Sequence, residues 1–286
     1  MTRRLKLNAV GRAFHDACLA ELEALKPGNV HRFADGHRMS IADFEKSAAA
    51  AAPVMSKAKL PVGERILKAV EATQKAVGQN TNLGILLLAA PLATAASDRK
   101  GGELRARVSS VLEALSVKDA KDAYKAIRKA APGGLGEVPA HDVAAEPRVT
   151  LLEAMRAAET RDRIAFNYAN GFADIFGLGL PWLIQARERW GPSPFATTRV
   201  YLGFLAHVPD TLIERKFGAD AAASVLEEAR PLEAGLMECS LPEDLAAPLM
   251  AFDAALKERG LNPGTSADLT VATLFAAGLE AAEIAE

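Results

Sequence analysis

Leu83-Gly84-Ile85-Leu86-Leu87-Leu88-Ala89-Ala90-Pro91-Leu92-Ala93-Thr94-Ala95-Ala96 carries one polar side chain, Thr94, and no charge. At about 14 residues it is short of the ~20 that span a bilayer, and it lacks the strict alternation of a half-buried strand. It reads as a buried core helix. A helix that is apolar all round must be enclosed by others, so this stretch predicts a multi-helical body.

The flanking sequence supplies those helices. Val10, Phe14, Ala17, Cys18, Leu22 and Leu25 recur at helical spacing until Lys26-Pro27-Gly28 stops them. Ser40-Ile41-Ala42-Asp43 forms a capping box ahead of the Ala48–Ala52 run, and Pro61 opens a further helix that Gly78 ends. Ser116 to Asp119 and Thr150 to Glu153 repeat the capping pattern, bracketing a glycine-rich loop at Gly133-Gly134-Leu135-Gly136. From Arg161 a helix is expected to about Phe176, with breaks at Gly177 to Pro181 and Gly191 to Pro194 and further helices up to Ala285. About a dozen helices and no repeat result, an all-α fold expected to form one domain over residues 1–286.

Composition agrees. Half of the 286 residues are hydrophobic, so disorder is excluded, and only 6% are aromatic, which disfavours sheets. The net charge of -2 offers no field for a nucleic acid. Cys18 and Cys239 are far apart and outside any metal-ligand spacing. Basic residues near Met1 precede no apolar segment of signal-peptide type. These features predict a cytoplasmic protein without membrane contact, and the Ala-rich helices offer a face for a homodimer.

Chemistry concentrates in three junctions: Lys26-Pro27-Gly28-Asn29, Gln79-Asn80-Thr81-Asn82-Leu83-Gly84 and Asn262-Pro263-Gly264-Thr265-Ser266-Ala267-Asp268. Each sets small hydrogen-bonding residues beside a helix end, where free N–H groups and partial positive charge receive anions. Taken singly, Thr81, Asn82 and Ser266 are ordinary caps and Gly28 and Gly264 ordinary turn residues. Taken together they predict an anion pocket with Lys26 as its point charge. Asp210, in a first helical turn, forms with Asp268, Asp35 and Glu21 a candidate carboxylate set for Mg²⁺ on a polyphosphate. Arg161-Asp162-Arg163 is read as surface ion pairing before pocket wall, and His31 and His37 as solvated loop histidines.

In order along the chain, K-P-G at Lys26 to Gly28, N-T-x-x-G at Asn80 to Gly84, the Gly133 to Gly136 loop, Asp210-Thr211 and N-P-G-x-S-A-D at Asn262 to Asp268 resemble the triphosphoribosyl-dephospho-CoA synthase family. The likeness covers nearly the whole chain. It implies an all-α transferase that moves the triphosphoribosyl unit of ATP to the 2′-hydroxyl of dephospho-CoA, releasing adenine, with Mg²⁺ on the triphosphate. The catalytic carboxylates expected from it are Asp210 and Asp268. The substrate and phosphate contacts expected are Lys26, Gly28, Asn29, Asn80, Thr81, Asn82, Gly84, Asn262, Gly264 and Ser266.

The chain departs from that pattern at specific places. The family reads G-V-N-T-H-K-G where Gly78 to Gly84 stand, so a His and a Lys are replaced by Asn82 and Leu83. A lost cation beside a triphosphate costs about 2 to 4 kcal/mol unless another replaces it. The family's V-D after K-P-G-L is Val30-His31, and its G-A-H-x-D-M is contracted to Gly36-His37-Arg38-Met39. In one reading Arg38 and Asp35 compensate. In another the chain uses a different donor or acceptor in one-carbon coenzyme biosynthesis, or binds nucleotide or aids assembly without turnover.

Overall fold

A computed structural model describes residues 7–36, 39–98, 101–132 and 142–284. His37, Arg38 and the Gly133 to Gly136 loop lie outside the described residues.

The described residues form fourteen α-helices. The first four are α1 (Ala9–Glu23), α2 (Ile41–Met55), α3 (Val62–Val77) and α4 (Leu83–Ser97). Asn8 caps α1 by accepting from the Gly11 N–H, and the Asp43 carboxylate accepts the Ser40 N–H at the start of α2. Gly78 closes α3 at φ 73°, a left-handed turn that side chains resist. The next are α5 (Leu104–Glu113), α6 (Val117–Ala130), α7 (Leu151–Arg156) and α8 (Arg163–Ala169), with the expected capping boxes at Ser116 and Thr150. Then follow α9 (Leu180–Trp190), α10 (Pro194–His207), α11 (Thr211–Phe217), α12 (Ala219–Glu238), α13 (Ala246–Glu258) and α14 (Gly264–Ile284). The described residues hold no strand, only two isolated bridges at His31–Ala34 and Gly36–Met39.

The predicted central helix is α4. Ile85 to Ala93 are all buried, and α4 packs against α14, α5 and α3 as well as α1, α2, α6 and α8. Pro91 has no N–H for the carbonyl four residues earlier, that of Leu87. The buried Tyr168 hydroxyl of α8 fills the gap, donating to Leu87 O at 2.7 Å. A proline that would break an isolated helix is thus accommodated by a tertiary hydrogen bond.

One expectation is corrected. The chain does not run helical from Arg161 to Phe176 and then break at Gly177 to Pro181. It breaks earlier, at Gly171 and Phe172, both at positive φ, where Phe172 N–H turns back to Asn167 O. A π-helical turn over Ile175–Gly179 then leads straight into α9. Pro181 falls in the first turn of α9, directly after that π turn. Gly179 lies so close to α14 that an added Cβ would stand 2.2 Å from Thr273 Oγ1.

Among the described residues no helix is long and apolar enough to cross a membrane. Cys18 and Cys239 are both free thiols.

Candidate active site

The starts of α4, α8, α11 and α14 border a cavity of about 650 Å³. Asn80, Thr81, Asn82 and Gly84 line it from the turn into α4 and its start, Asn262, Gly264 and Asp268 from the turn into α14 and its start, and Glu21 and Asn29 from the end of α1 and the following turn. Arg161 and Asp162 contribute from the start of α8, and Glu214, Arg215 and Lys216 from α11. Phe44, Leu87, Tyr124, Ile127, Leu151 and Met155 make an apolar wall between these polar stretches. The three junctions singled out in sequence therefore meet in space.

Asp268 sits against the first turn of α4. Its Oδ2 stands where a Cβ on Gly84 would come within 1.9 Å, so glycine is required for the carboxylate to reach this place. Burial, and then the charges of Asp210, Glu21 and Asp162, push the Asp268 carboxyl well above the ordinary range, against a smaller opposing effect from the Ile85 N–H. It remains partly accessible from the cavity. A carboxyl of this kind holds a proton more tightly than usual and is a correspondingly stronger base when it has none.

Lys26 lies behind the wall, fully buried and ion-paired with Glu21. Burial pushes Lys26 down and Glu21 up, and their mutual attraction opposes both shifts. Its ammonium also donates to Asn29 Oδ1 at 3.3 Å, and Asn29 Nδ2 donates to Asn262 Oδ1 at 2.8 Å. Lys26 thus reaches the cavity through side-chain amides rather than as an exposed charge. Gly28 does not line the cavity. It takes φ 81°, and a Cβ there would meet Pro263 at 2.8 Å, so the glycine lets the first junction pack on the third.

Asp210 is likewise behind the wall. Its Oδ1 accepts the N–H groups of Leu212 and Ile213, at 3.1 and 3.2 Å. Its Oδ2 accepts Ser266 N–H at 2.8 Å and Ser266 Oγ–H at 2.9 Å. The carboxylate ties the start of α11 to that of α14 and leaves Ser266 facing it rather than the cavity. Asp210 and Ser266 thus bond each other and lie outside the cavity lining in this structure. Thr81 pairs with Ser47 at 2.6 Å, and Asn80 Oδ1 accepts the Leu83 N–H at 3.1 Å, fixing the turn that presents Asn82.

The carboxylate set does not converge as expected. Asp35 is exposed and accepts the Ile41 N–H at 3.1 Å, away from the cavity lining. Among the described residues no group of three or more His, Cys, Asp or Glu side chains is placed to hold a metal ion. Asp268 and Glu21 do share the cavity.

His31 is not a solvated loop histidine. It is 1% exposed, with Nε2 at 3.3 Å from Asp253 Oδ1. Asp253 also accepts the Gly28 N–H at 2.8 Å and the Lys257 ammonium at 3.0 Å. Burial favours the protonated carboxyl, but the bonds from His31, Lys257 and Gly28 outweigh it and hold Asp253 low. Its role in bracing the first junction carries no motif in sequence, because the junction residues it holds, Gly28 and His31, lie more than 200 positions away. Arg163 is bound by Asp174 through two contacts of 2.7 Å, as ion pairing predicts, whereas Arg161 and Asp162 belong to the cavity.

Fold and site define an all-α protein whose main cavity is assembled from helix starts and faced by the Asp268 carboxyl. The family profile described as CitG, ATP:dephospho-CoA triphosphoribosyl transferase, matches residues 7–286, and the chain belongs to that family. A protein from Albidiferax ferrireducens named probable 2-(5''-triphosphoribosyl)-3'-dephosphocoenzyme-A synthase is 34% identical over 39% of this chain and 36% of its own length. A protein from Pectobacterium atrosepticum named as the same synthase is 37% identical over 37% of this chain and 33% of its own. The matches thus span about a third of these curated relatives. A crystal structure from Archaeoglobus fulgidus, assigned by name to the triphosphoribosyl-dephospho-CoA synthases, is similar with a TM-score of 0.64 and 25% identity over 81% of this chain and 96% of that one.

Proposed function

We propose that the protein is a nucleotide-dependent transferase that moves a triphosphoribosyl unit from ATP to a hydroxyl acceptor of the dephospho-CoA type, releasing adenine. The observation that carries this reading is Asp268, a high-lying carboxyl seated on Gly84 in a cavity whose walls are the family's own motifs. In the reaction the bond from ribose C1′ to adenine N9 breaks and the acceptor oxygen bonds to C1′. The acceptor's proton goes to Asp268, adenine leaves with a proton drawn from solvent, and Asp268 returns its proton to solvent, so that one proton is released and one taken up. Until the acceptor's proton arrives, the Asp268 carboxylate, with Glu21 also in the cavity lining, stabilises the positive charge developing on the ribose.

Mg²⁺ fits only as a passenger of the triphosphate, held by phosphate oxygens and water, since Glu21 is paired with Lys26, the acceptor positions of Asp210 are filled and Asp35 lies away from the cavity lining. Bound there, it would neutralise phosphate charge. Free thiols at Cys18 and Cys239 are in keeping with a reducing cytoplasm.

Leu83 supports a second reading. It lines the cavity where the family carries Lys, and it is buried in the main core. A ligand with a different donor or acceptor suits this apolar wall better than one demanding a cation there.

The test is adenine release, followed by chromatography, from purified protein with ATP, Mg²⁺ and dephospho-CoA. Acceptor-dependent release that Asp268→Asn abolishes is expected. ATP-dependent adenine release with another hydroxyl compound, and none with dephospho-CoA, selects the second reading. Saturable ATP binding with no release for any acceptor overturns the transferase assignment.

A further inference from the structure

Two of the asparagines on the cavity wall, Asn29 and Asn262, have amide orientations fixed by their surroundings. Asn29 Oδ1 receives the Val30 backbone N–H at 2.9 Å and the Lys26 ammonium at 3.3 Å. A backbone N–H only donates, so this end of Asn29 is its oxygen whatever the charge on Lys26. Asn29 Nδ2 then donates to Asn262 at 2.8 Å, which makes the contacted atom of Asn262 its oxygen in turn. The hydrogen bonds run one way, from buried Lys26 through Asn29 to Asn262. Their free end is the Asn262 NH₂ group, on a residue that lines the cavity together with Glu21 and Asp268.

We propose that Asn262 donates to a ribose hydroxyl oxygen of the bound nucleotide, while that hydroxyl donates to a cavity carboxylate. The proposal rests on the nucleotide-transfer reading and specifies its sugar subsite. A phosphate oxygen would use the amide donor but meet like charge from Glu21 and Asp268. A carbonyl oxygen would leave the carboxylates without a donor. A hydroxyl both accepts and donates, and so matches the pair. Lys26 acts here as a positioning residue, because the bonds it heads hold the distant amide in one orientation and polarise it.

Two substitutions separate this role from a structural one. Asn29→Asp keeps both acceptor contacts, to Lys26 and Val30, but has no N–H for Asn262. The Asn262 amide must then flip to donate to Asp, turning its oxygen into the cavity. Asn262→Asp keeps the acceptor for Asn29 and removes the donor outright. Calorimetric binding of ATP, 2′-deoxy-ATP and 3′-deoxy-ATP is measured for each variant and for the unsubstituted protein, with thermal denaturation as the check on folding.

The unsubstituted protein is expected to prefer ATP over one deoxy analogue by about 10-fold or more. In both variants that preference is expected to fall to about 1, because hydroxyl and amide are partners in one interaction. Added charge weakens all three nucleotides alike and leaves the ratio unmoved. Equal affinity of the unsubstituted protein for all three nucleotides overturns the proposal without reference to any variant. An undiminished preference in folded Asn262→Asp overturns the contact, and one in folded Asn29→Asp overturns the relay. Absence of ATP binding overturns this proposal and the nucleotide reading together, whereas ATP turnover without hydroxyl discrimination overturns this one alone.

Discussion

At the residue scale, Asp268 and Asp210 share a residue type, a neighbourhood and a carboxyl raised by burial, but differ in their hydrogen-bond partners and in which of them faces the cavity. Asp268 has a raised carboxyl facing the cavity, so the folded state binds its proton more tightly than the unfolded state does. Stability from this group is therefore complete at pH below the unfolded value and falls as pH rises toward the folded one. Asp268→Asn removes that loss. In the absence of nucleotide and Mg²⁺, its Tm at pH 7 to 8 is expected to rise by roughly 2 °C or more while turnover is lost, a trade of stability for function. Thermal scans across pH check this, and an unchanged pH dependence would refute it. Asp210, by contrast, has its acceptor positions filled by four donors. Asp210→Ala removes a cap and strands buried donors, so a loss of about 2 to 4 kcal/mol in urea denaturation is expected. Its activity should fall with its folded fraction. Both aspartates were legible as candidates in sequence, but the division of labour was not, because it depends on which donors the fold brings to each.

At the scale of elements, the helices were largely legible because caps and glycines are local. Ser40, Gly78, Ser116 and Thr150 bound their helices where the pattern puts them. Pro91 shows what local signals omit. Its tolerance in α4 depends on Tyr168, a partner 81 residues from the carbonyl it caps. Tyr168→Phe is expected to lose about 1 to 3 kcal/mol by leaving a buried carbonyl unpaired. In a Pro91→Ala background the new N–H serves Leu87 O within the helix, so the same substitution should cost much less. Urea denaturation of the four proteins of this cycle measures the coupling, and additive losses would show that the two residues act independently. The early break at Gly171 and Phe172 escaped the sequence reading for a similar reason. Positive φ at a phenylalanine has no sequence signature and is held by Asn167 and the surrounding core.

For the whole molecule, the site is a product of close helix approaches that only small residues allow. Gly63 of α3 packs so tightly on α6 that a Cβ would lie 2.4 Å from Asp119 O, and its N–H donates to Asp119 Oδ1 at 2.9 Å. Backbone cannot yield as a side-chain end can. Gly63→Ala should separate α3 from α6 and lower Tm by at least about 4 °C, read by thermal unfolding. An unchanged Tm would mean that the helices slide apart without cost. By itself the sequence determined the all-α class, most helix boundaries and the three junctions that meet at the cavity, since periodicity, capping and turn chemistry act over a few residues. The tertiary structure alone decided which polar side chains face the cavity and which brace it. Lys26, Gly28, Asp210 and Ser266 turned out to brace, while Asn29, Asn82, Asn262 and Asp268 line the wall. The physical reason is that a polar side chain's role is set by its partners, and here Asp253, Tyr168 and Asn262 are brought to theirs from scores to hundreds of residues away.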